Sequence, residues 1–540
     1  MKKIYAISLL AIAVIIASSC SKSFSDLEKN NNKPTEVPPN QLFAGVLNDM
    51  YEAPYTMAER WSQYYLCNYD YYGDNRYDFG SLEADLKSVP MDYYSTLQNV
   101  VNMEAAAKKN GGNTVNPYGA LAKFFKAYLF SKMSMEVGDL PMTQALQQLG
   151  NLTPKYDLQK DIFKQSFLWL DSANNDLAAL IGHPDKANST PGQLLKGDIY
   201  FNNDLSKWQK AVNTLRIRLL LALSKHADDA DLKVKEQFTD ILSNSTQYPL
   251  MMDGSDNLQY AYLYPTNLYP NNPGNFGFDA LRYNTSNTYI HLLDSLQDPR
   301  VYVTAEPARY LVDSLHQDPL DFKSFVGADP GENLTDMYDK TNHGKYSLLN
   351  RKHYYDTYTG EPSIQIGYAE LMFNIAEGIN RGWYTKGGLN AEIFYKNGIQ
   401  SSMSFYSIPA SGAMNVYFLH PGASLGQYDK FVVNVDFNNY YNQSTVAYST
   451  TDANKALRQI LIQKYLALFR HSGMESYFTY RRTGVPTFTV GDGTGNSKRI
   501  PMRFQYPVNE RSANEANYKT ALTSQYGGND DINGVMWLLK

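Results

Sequence analysis

Asp204-Leu205-Ser206-Lys207-Trp208-Gln209-Lys210-Ala211-Val212-Asn213-Thr214-Leu215-Arg216-Ile217-Arg218-Leu219-Leu220-Leu221-Ala222 places apolar side chains along one helical face. Trp208, Val212, Leu215, Leu219 and Ala222 stand at i, i+4, i+7, i+11 and i+14. That spacing predicts an amphipathic helix that packs one stripe against a core. Asp204 or Ser206 is the expected N-cap, since a short oxygen-bearing side chain satisfies the first free N–H groups. The same signature recurs on both sides. It is carried by Leu121, Phe124, Phe125 and Tyr128, by Tyr368, Leu371, Met372, Ile375 and Ile379, and by Leu457, Ile460, Leu461 and Leu468. Weaker helical patterns cover about 42–66, 90–109, 160–180, 232–243, 286–296 and 390–405. The fold class is therefore mainly α.

Long polar and aromatic stretches rich in Gly, Pro and Asn separate these helices, at about 68–89, 245–285, 318–363, 407–450 and 484–535. Loops of this length are functional or hold short strands of their own. Val432, Val433 and Val435, and residues 487–490, are the expected strands. No fixed-period repeat is visible in the letters, and the tetratricopeptide signature is absent.

The N-terminus reads as an export signal. Lys2 and Lys3 precede an apolar run over residues 4–17, followed by Ser18, Ser19 and Cys20. The run is too short for a helix across a hydrocarbon core of about 30 Å, and its layout is that of a secretory signal. Ala17-Ser18-Ser19-Cys20 resembles a bacterial lipobox, whose cysteine is acylated and becomes the first mature residue. Asn30-Asn31-Asn32-Lys33-Pro34 and Pro38-Pro39 then form a tether that cannot build a core. The expected organisation is a signal peptide at 1–19, a lipidated tether at 20–40 and a single helical domain with loop insertions at 41–540.

Composition narrows the function. Hydrophobic residues are 43% and charged residues 19%, with a formal charge of −5 and no basic block, which argues against nucleic acid as a partner. With Cys20 acylated, Cys67 has no partner for a disulfide and is expected to be a buried, inert thiol. The chain carries no HExxH or GxxxxGK motif, and nothing in it pairs two carboxylates for hydrolysis, so no enzyme activity is expected. Gly491-Asp492-Gly493-Thr494-Gly495 follows no βαβ pattern and reads as a turn. Asp70, Asp74 and Asp78 are spaced by four but do not fit an EF-hand loop. No metal or cofactor is expected.

Several segments together resemble the SusD/RagB family, more closely its divergent SusD-like branch. They are Gly138-Asp139-Leu140-Pro141 with Pro154-Lys155-Tyr156-Asp157; Gly197-Asp198 through Lys207-Trp208 to Arg216-Ile217-Arg218; and Asp298-Pro299-Arg300. Tyr368-Ala369-Glu370 with Ala376-Glu377 and Arg381-Gly382-Trp383 follows, then Tyr480-Arg481-Arg482-Thr483-Gly484 with Pro486, and Ile500-Pro501-Met502-Arg503-Phe504 with Tyr506-Pro507. The resemblance implies a tetratricopeptide-like helix-pair scaffold with irregular loops. It also implies a lipoprotein on the outer membrane that captures oligosaccharides for a SusC-like TonB-dependent transporter. Oligopeptide capture, as on the RagB side, is the alternative, and a secreted glycoside hydrolase a more distant one. The resemblance also places Arg216, Arg218, Arg481 and Arg482 at framework positions, where they pair with carboxylates or carbonyls rather than with ligand.

The 44 tyrosines against 24 phenylalanines are the unusual number. Tyrosine offers an apolar face and a hydroxyl that tolerates water, a combination suited to sugars. The ligand site is expected in the loop of Tyr71, Tyr72, Asp74, Asn75, Arg76 and Tyr77, where rings stack and polar groups fix hydroxyls. A second face is expected from Tyr264, Tyr269, Asn271 and Phe276.

Overall fold

The computed structural model describes residues 37–54, 57–67, 93–183, 190–384 and 386–540. Among these, the helices of nine residues or more are α1 (Pro39–Asp49), α2 (Tyr94–Lys109), α3 (Pro117–Val137), α4 (Gln159–Gly182) and α5 (Leu205–Ala222). They continue with α6 (Val234–Ser243), α7 (Asn287–Ser295), α8 (Leu334–Asn342), α9 (Tyr368–Asn380) and α10 (Ala391–Phe405). The last are α11 (Ala453–Ala467), α12 (Glu475–Thr483) and α13 (Glu515–Tyr526). Neighbours in sequence pack as pairs: α1 on α2, α3 on α4, α4 on α5, and α9 on α10. α9 also packs on α5 and α11, which joins the two halves of the scaffold. This is the helix-pair architecture that the family resemblance implied.

The stretch 204–222 forms α5 as predicted. Asp204 caps it, its Oδ1 accepting the Ser206 N–H at 2.8 Å. Trp208 is fully buried among Phe43, Phe124, Phe125 and Phe201, at centroid distances of 5.1 to 6.2 Å. Its indole N–H would be costly to bury unpaired. It donates to Asp198 Oδ2 at 2.8 Å, which explains why Gly197-Asp198 accompanies Lys207-Trp208. α3 is apolar nearly all round and is buried on nearly all sides, as such a helix must be.

The expected framework arginines are all inward-turned. Arg218 Nε and Nη2 both donate to Glu370. Arg482 binds both oxygens of Glu377. Arg481 donates to the Met135 and Met502 carbonyls at 2.6 and 2.7 Å, and Arg216 lies 3.2 Å from Asp171. Arg300 of the Asp-Pro-Arg element grips Asp298 with its Nε and Nη2.

Among the described residues the strands form three antiparallel pairs: β1 (Tyr65–Cys67) with β3 (Tyr283–Thr285), β2 (Leu258–Tyr260) with β4 (Ser363–Ile366), and β5 (Ser411–Leu419) with β6 (Tyr428–Asp436). β6 contains the expected Val432, Val433 and Val435. Two expectations need correction. The pattern over 42–66 is not one helix: α1 ends at Asp49, a short helix spans Met57–Trp61, and Pro54 lies between. Proline forbids a continuous ladder there. Residues 487–490 form no strand. A side chain takes the place of the partner strand: Gln63 Nε2 donates to the Thr489 carbonyl at 2.8 Å, and Gln63 Oε1 accepts the Thr489 N–H at 3.1 Å. The glycine-rich run at 491–495 is a turn, as expected, with the Gly493 N–H donated to Gly331 O at 2.9 Å.

Candidate ligand-binding site

The β2–β4 pair organises the aromatic loops. Tyr260 and Ser363 are opposite one another in its ladder. The Tyr260 and Tyr51 rings meet at 4.2 Å, tilted by 31°, and Ser363 Oγ lies 2.7 Å from the Tyr262 hydroxyl. Tyr51 and Tyr262 also share a hydrogen bond between their hydroxyls. Burial pushes the Tyr262 phenol up to about 12. Tyr51 is raised further, by burial first and then by Tyr262.

Beyond Tyr262 the chain makes a tight hairpin, in which Leu263 and Asn267 exchange both backbone hydrogen bonds at 2.7 Å. Tyr264 stands at its tip, 66% exposed, with Leu263 and Leu268 exposed beside it. Its ring meets that of Tyr358 at 5.1 Å. The Tyr269 N–H donates to the Tyr358 carbonyl at 2.8 Å and ties the two loops together.

The structure divides the predicted second face. Tyr264 is open to solvent. Tyr269 is only 1% exposed, and Gly360, at φ 48°, leaves no room for a Cβ against its ring. Asn271 is 2% exposed; it accepts from Arg470 Nη2 at 2.8 Å and donates to the Tyr355 hydroxyl at 3.1 Å. Phe276 is half-buried, edge-on to Tyr355 at 5.9 Å. These three hold the loop from behind, because the polar and aromatic groups that satisfy them lie inside the fold. Tyr358 was missed in the sequence; its signal is an aromatic ring in the turn-forming run Asp356-Thr357-Tyr358-Thr359-Gly360. Tyr71, Tyr72, Asp74, Asn75, Arg76 and Tyr77 lie outside the described residues, as do Asp70, Asp78 and Cys20. Cys67 closes β1 opposite Tyr283.

The neighbouring ladder pair, Gln259 and Ile364, lines a cleft of about 630 Å³ that reaches α9, α10 and the segment after α11. It is within the usual size of a small-molecule site, about 300–1,000 Å³. Buried His471 also lines it. Burial brings the His471 pKa down to about 4, against the pull of Glu361, so the ring is neutral. The sequence reading did not single out this cleft.

The model of a family described as "Starch-binding associating with outer membrane" matches residues 31–507. The chain belongs to this SusD-like family. A SusD homolog from Bacteroides fragilis is 29% identical, over 93% of this chain and 100% of that one, with a TM-score of 0.78. A second Bacteroides fragilis SusD homolog is 26% identical, over 94% and 100%, with a TM-score of 0.74. A chitin-binding SusD homolog from Flavobacterium johnsoniae shares the fold at 18% identity, over 93% and 98%, with a TM-score of 0.67. No curated protein matches the chain. SusD-like proteins are nutrient-binding proteins of the outer membrane rather than enzymes, and they pair with SusC-type transporters.

Proposed function

We propose that this SusD-like chain is a surface lipoprotein, anchored through Cys20, that captures neutral oligosaccharides and passes them to a SusC-like TonB-dependent transporter. The observation that carries the ligand class is the exposed Tyr264 ring beside Tyr358, held out on a hairpin whose base is fixed by Tyr269 and Asn271. A rigid, solvent-facing aromatic ridge suits the apolar faces of sugar rings. Two structural relatives named as chitin-binding proteins are in keeping with that class. The ridge is one part of the proposed site, and Tyr71, Tyr72, Asp74, Asn75, Arg76 and Tyr77 are proposed as further ligand contacts on the sequence reading alone. Cys20→Ala should release the protein from the membrane fraction when no transporter is present.

The test is calorimetry against a panel of soluble glycans, with peptide pools as the competing class. Tyr264→Ala with Tyr358→Ala should leave the melting temperature nearly unchanged. Two stacking losses of about 1 kcal/mol each lower affinity about thirtyfold if they add. Wild-type binding of peptides and not of glycans overturns the ligand class. An unchanged glycan affinity in the double variant moves the site elsewhere.

A further inference from the structure

Helix α10 presents two different faces. Tyr395, Ile399 and Met403 are buried in the core. Asn397, Gln400, Ser401 and Ser404, at i, i+3, i+4 and i+7, all line the cleft of about 630 Å³. The ring of Phe405 lines it too, half-buried. Gln400 and Ser404 are exposed, and Asn397 and Ser401 are partly so. A surface helix normally carries charged residues on its free face. This stripe is amides and hydroxyls, and among the described residues no lysine or arginine lines the cleft. Glu370 is already neutralised by Arg218, and Asp253 Oδ1 accepts the Ser255 N–H at 2.8 Å. His471, 6% exposed, takes the Ile364 N–H on Nδ1 at 3.5 Å, and its Nε2 has no partner among the described residues. With Nδ1 as acceptor, the neutral ring carries its proton on Nε2, a buried donor left without an acceptor.

We propose that this cleft is a second binding site, for a neutral short saccharide, formed by Asn397, Gln400, Ser401, Ser404 and Phe405 with His471. It rests on the reading that the chain captures neutral saccharides, and adds a site whose lining includes none of the aromatic hairpin residues Tyr264, Tyr269 and Tyr358. Each amide offers a donor and an acceptor side by side, which matches a pair of neighbouring sugar hydroxyls. Phe405 supplies the apolar face. The lack of any cation in the lining disfavours anionic ligands. Two sites on one chain retain a polymer that spans both far better than either alone.

The experiment is calorimetry with maltotriose, cellotriose and triacetylchitotriose on the full mature chain. Four forms are compared: wild type, Tyr264→Ala with Tyr358→Ala, and that double variant carrying either Asn397→Ala with Gln400→Ala or Ser404→Trp. The α10 positions face the cleft rather than the core, and a thermal melt checks that each form is folded. At least one trisaccharide should bind the hairpin variant. Either α10 change should weaken that binding by about tenfold or more, the amide pair by the loss of one or two hydrogen bonds and Ser404→Trp by filling the cleft. Residual binding that both α10 changes leave intact overturns the proposal, as does a hairpin variant that binds none of the probes while wild type does. In the latter case capture at the hairpin stands and only the cleft fails. If no form binds any probe, the saccharide reading fails and the cleft proposal falls with it.

Discussion

Arg482 donates from both terminal nitrogens to the two carboxylate oxygens of Glu377, across 105 residues of sequence. Glu377 is completely buried, and Arg381 Nε adds a bond to the same carboxylate at 2.8 Å. Together they fasten α12 to α9. Burial alone raises the pKa of Glu377, but the pairing with Arg482 overrides it and brings the value down to about 2. Removing one partner strands the other as a buried charge. Glu377→Ala should therefore cost about 3–5 kcal/mol in urea unfolding.

The same pair sets an acid limit. An unfolded glutamate titrates near about 4.3. Because the folded value is lower, the stabilisation from Glu377 is fully present above the unfolded pKa. It is lost as pH falls through the window from about 4.3 to about 2. The stability of wild type should fall across this window, and Glu377→Gln should flatten that part of the curve. Equal acid sensitivity in both proteins would show that other carboxylates govern it.

Glu136 has the opposite character. It is fully buried in α3, and neither carboxyl oxygen has a hydrogen-bond partner among the described residues. Burial raises its pKa well above the ordinary range, and Lys132 opposes the rise without cancelling it. Lys132 spends its ammonium on Glu52 and Tyr93 instead, at 2.6 and 2.8 Å. A carboxyl with a raised folded pKa stabilises most when both states are protonated, below about 4.3, and loses that as pH rises toward its folded pKa. Glu136→Gln should raise the melting temperature at pH 7, by an amount equivalent to about 1–2 kcal/mol. The gain should vanish near pH 4. A loss at pH 7 would mean that the charge is used.

The packing of α10 on α9 runs through Gly398. An added Cβ there would lie 2.7 Å from Phe373 Cζ, inside contact distance of a fully buried ring. Alanine gains about 1 kcal/mol over glycine inside a free helix. Overpacking a closed core costs about 1–3 kcal/mol. Because Phe373 has nowhere to move, Gly398→Ala should be a net loss, read as a lower urea midpoint. Adding Phe373→Leu should recover part of it; a stabilising Gly398→Ala on its own would refute the close approach.

The scaffold was legible because its signals are local. The period of Trp208, Val212, Leu215 and Leu219 names a buried face whatever packs on it. The arginines were legible as framework because the family resemblance supplied their role. The ligand face was legible only in part. Tyr264 and Tyr269 look alike in the sequence, and what separates them is remote: Gly360 and Tyr358 close over one and leave the other standing out. The polar stripe of α10 was hidden for a related reason. Asn397, Gln400, Ser401 and Ser404 read as an ordinary solvated helix face until β2 and β4, which lie far apart in sequence, form the opposite lining.

Residues 487–490 show how a strand pattern loses to a single side chain, and they carry the last prediction. Gln63 is fully buried and holds three groups at once: the Thr489 carbonyl at 2.8 Å, the Thr489 N–H at 3.1 Å and the Thr288 hydroxyl at 2.6 Å. One amide thus joins the segment after the first short helix to α7 and to the C-terminal loops. Gln63→Ala removes the amide and leaves these groups without their partner. Each buried polar group left unpaired costs about 1–3 kcal/mol, and water entering the new space recovers some of it. Gln63 also sits at φ 52°, where alanine is no better tolerated than glutamine. The expected loss is about 2–4 kcal/mol in urea unfolding. The local signature is sharper than the global one. The Thr489 amide, protected by Gln63 in wild type, should exchange with solvent at least tenfold faster in Gln63→Ala, a factor that about 1.4 kcal/mol of local opening would give. Unchanged exchange at Thr489 would mean that something other than the Gln63 side chain holds this segment in place.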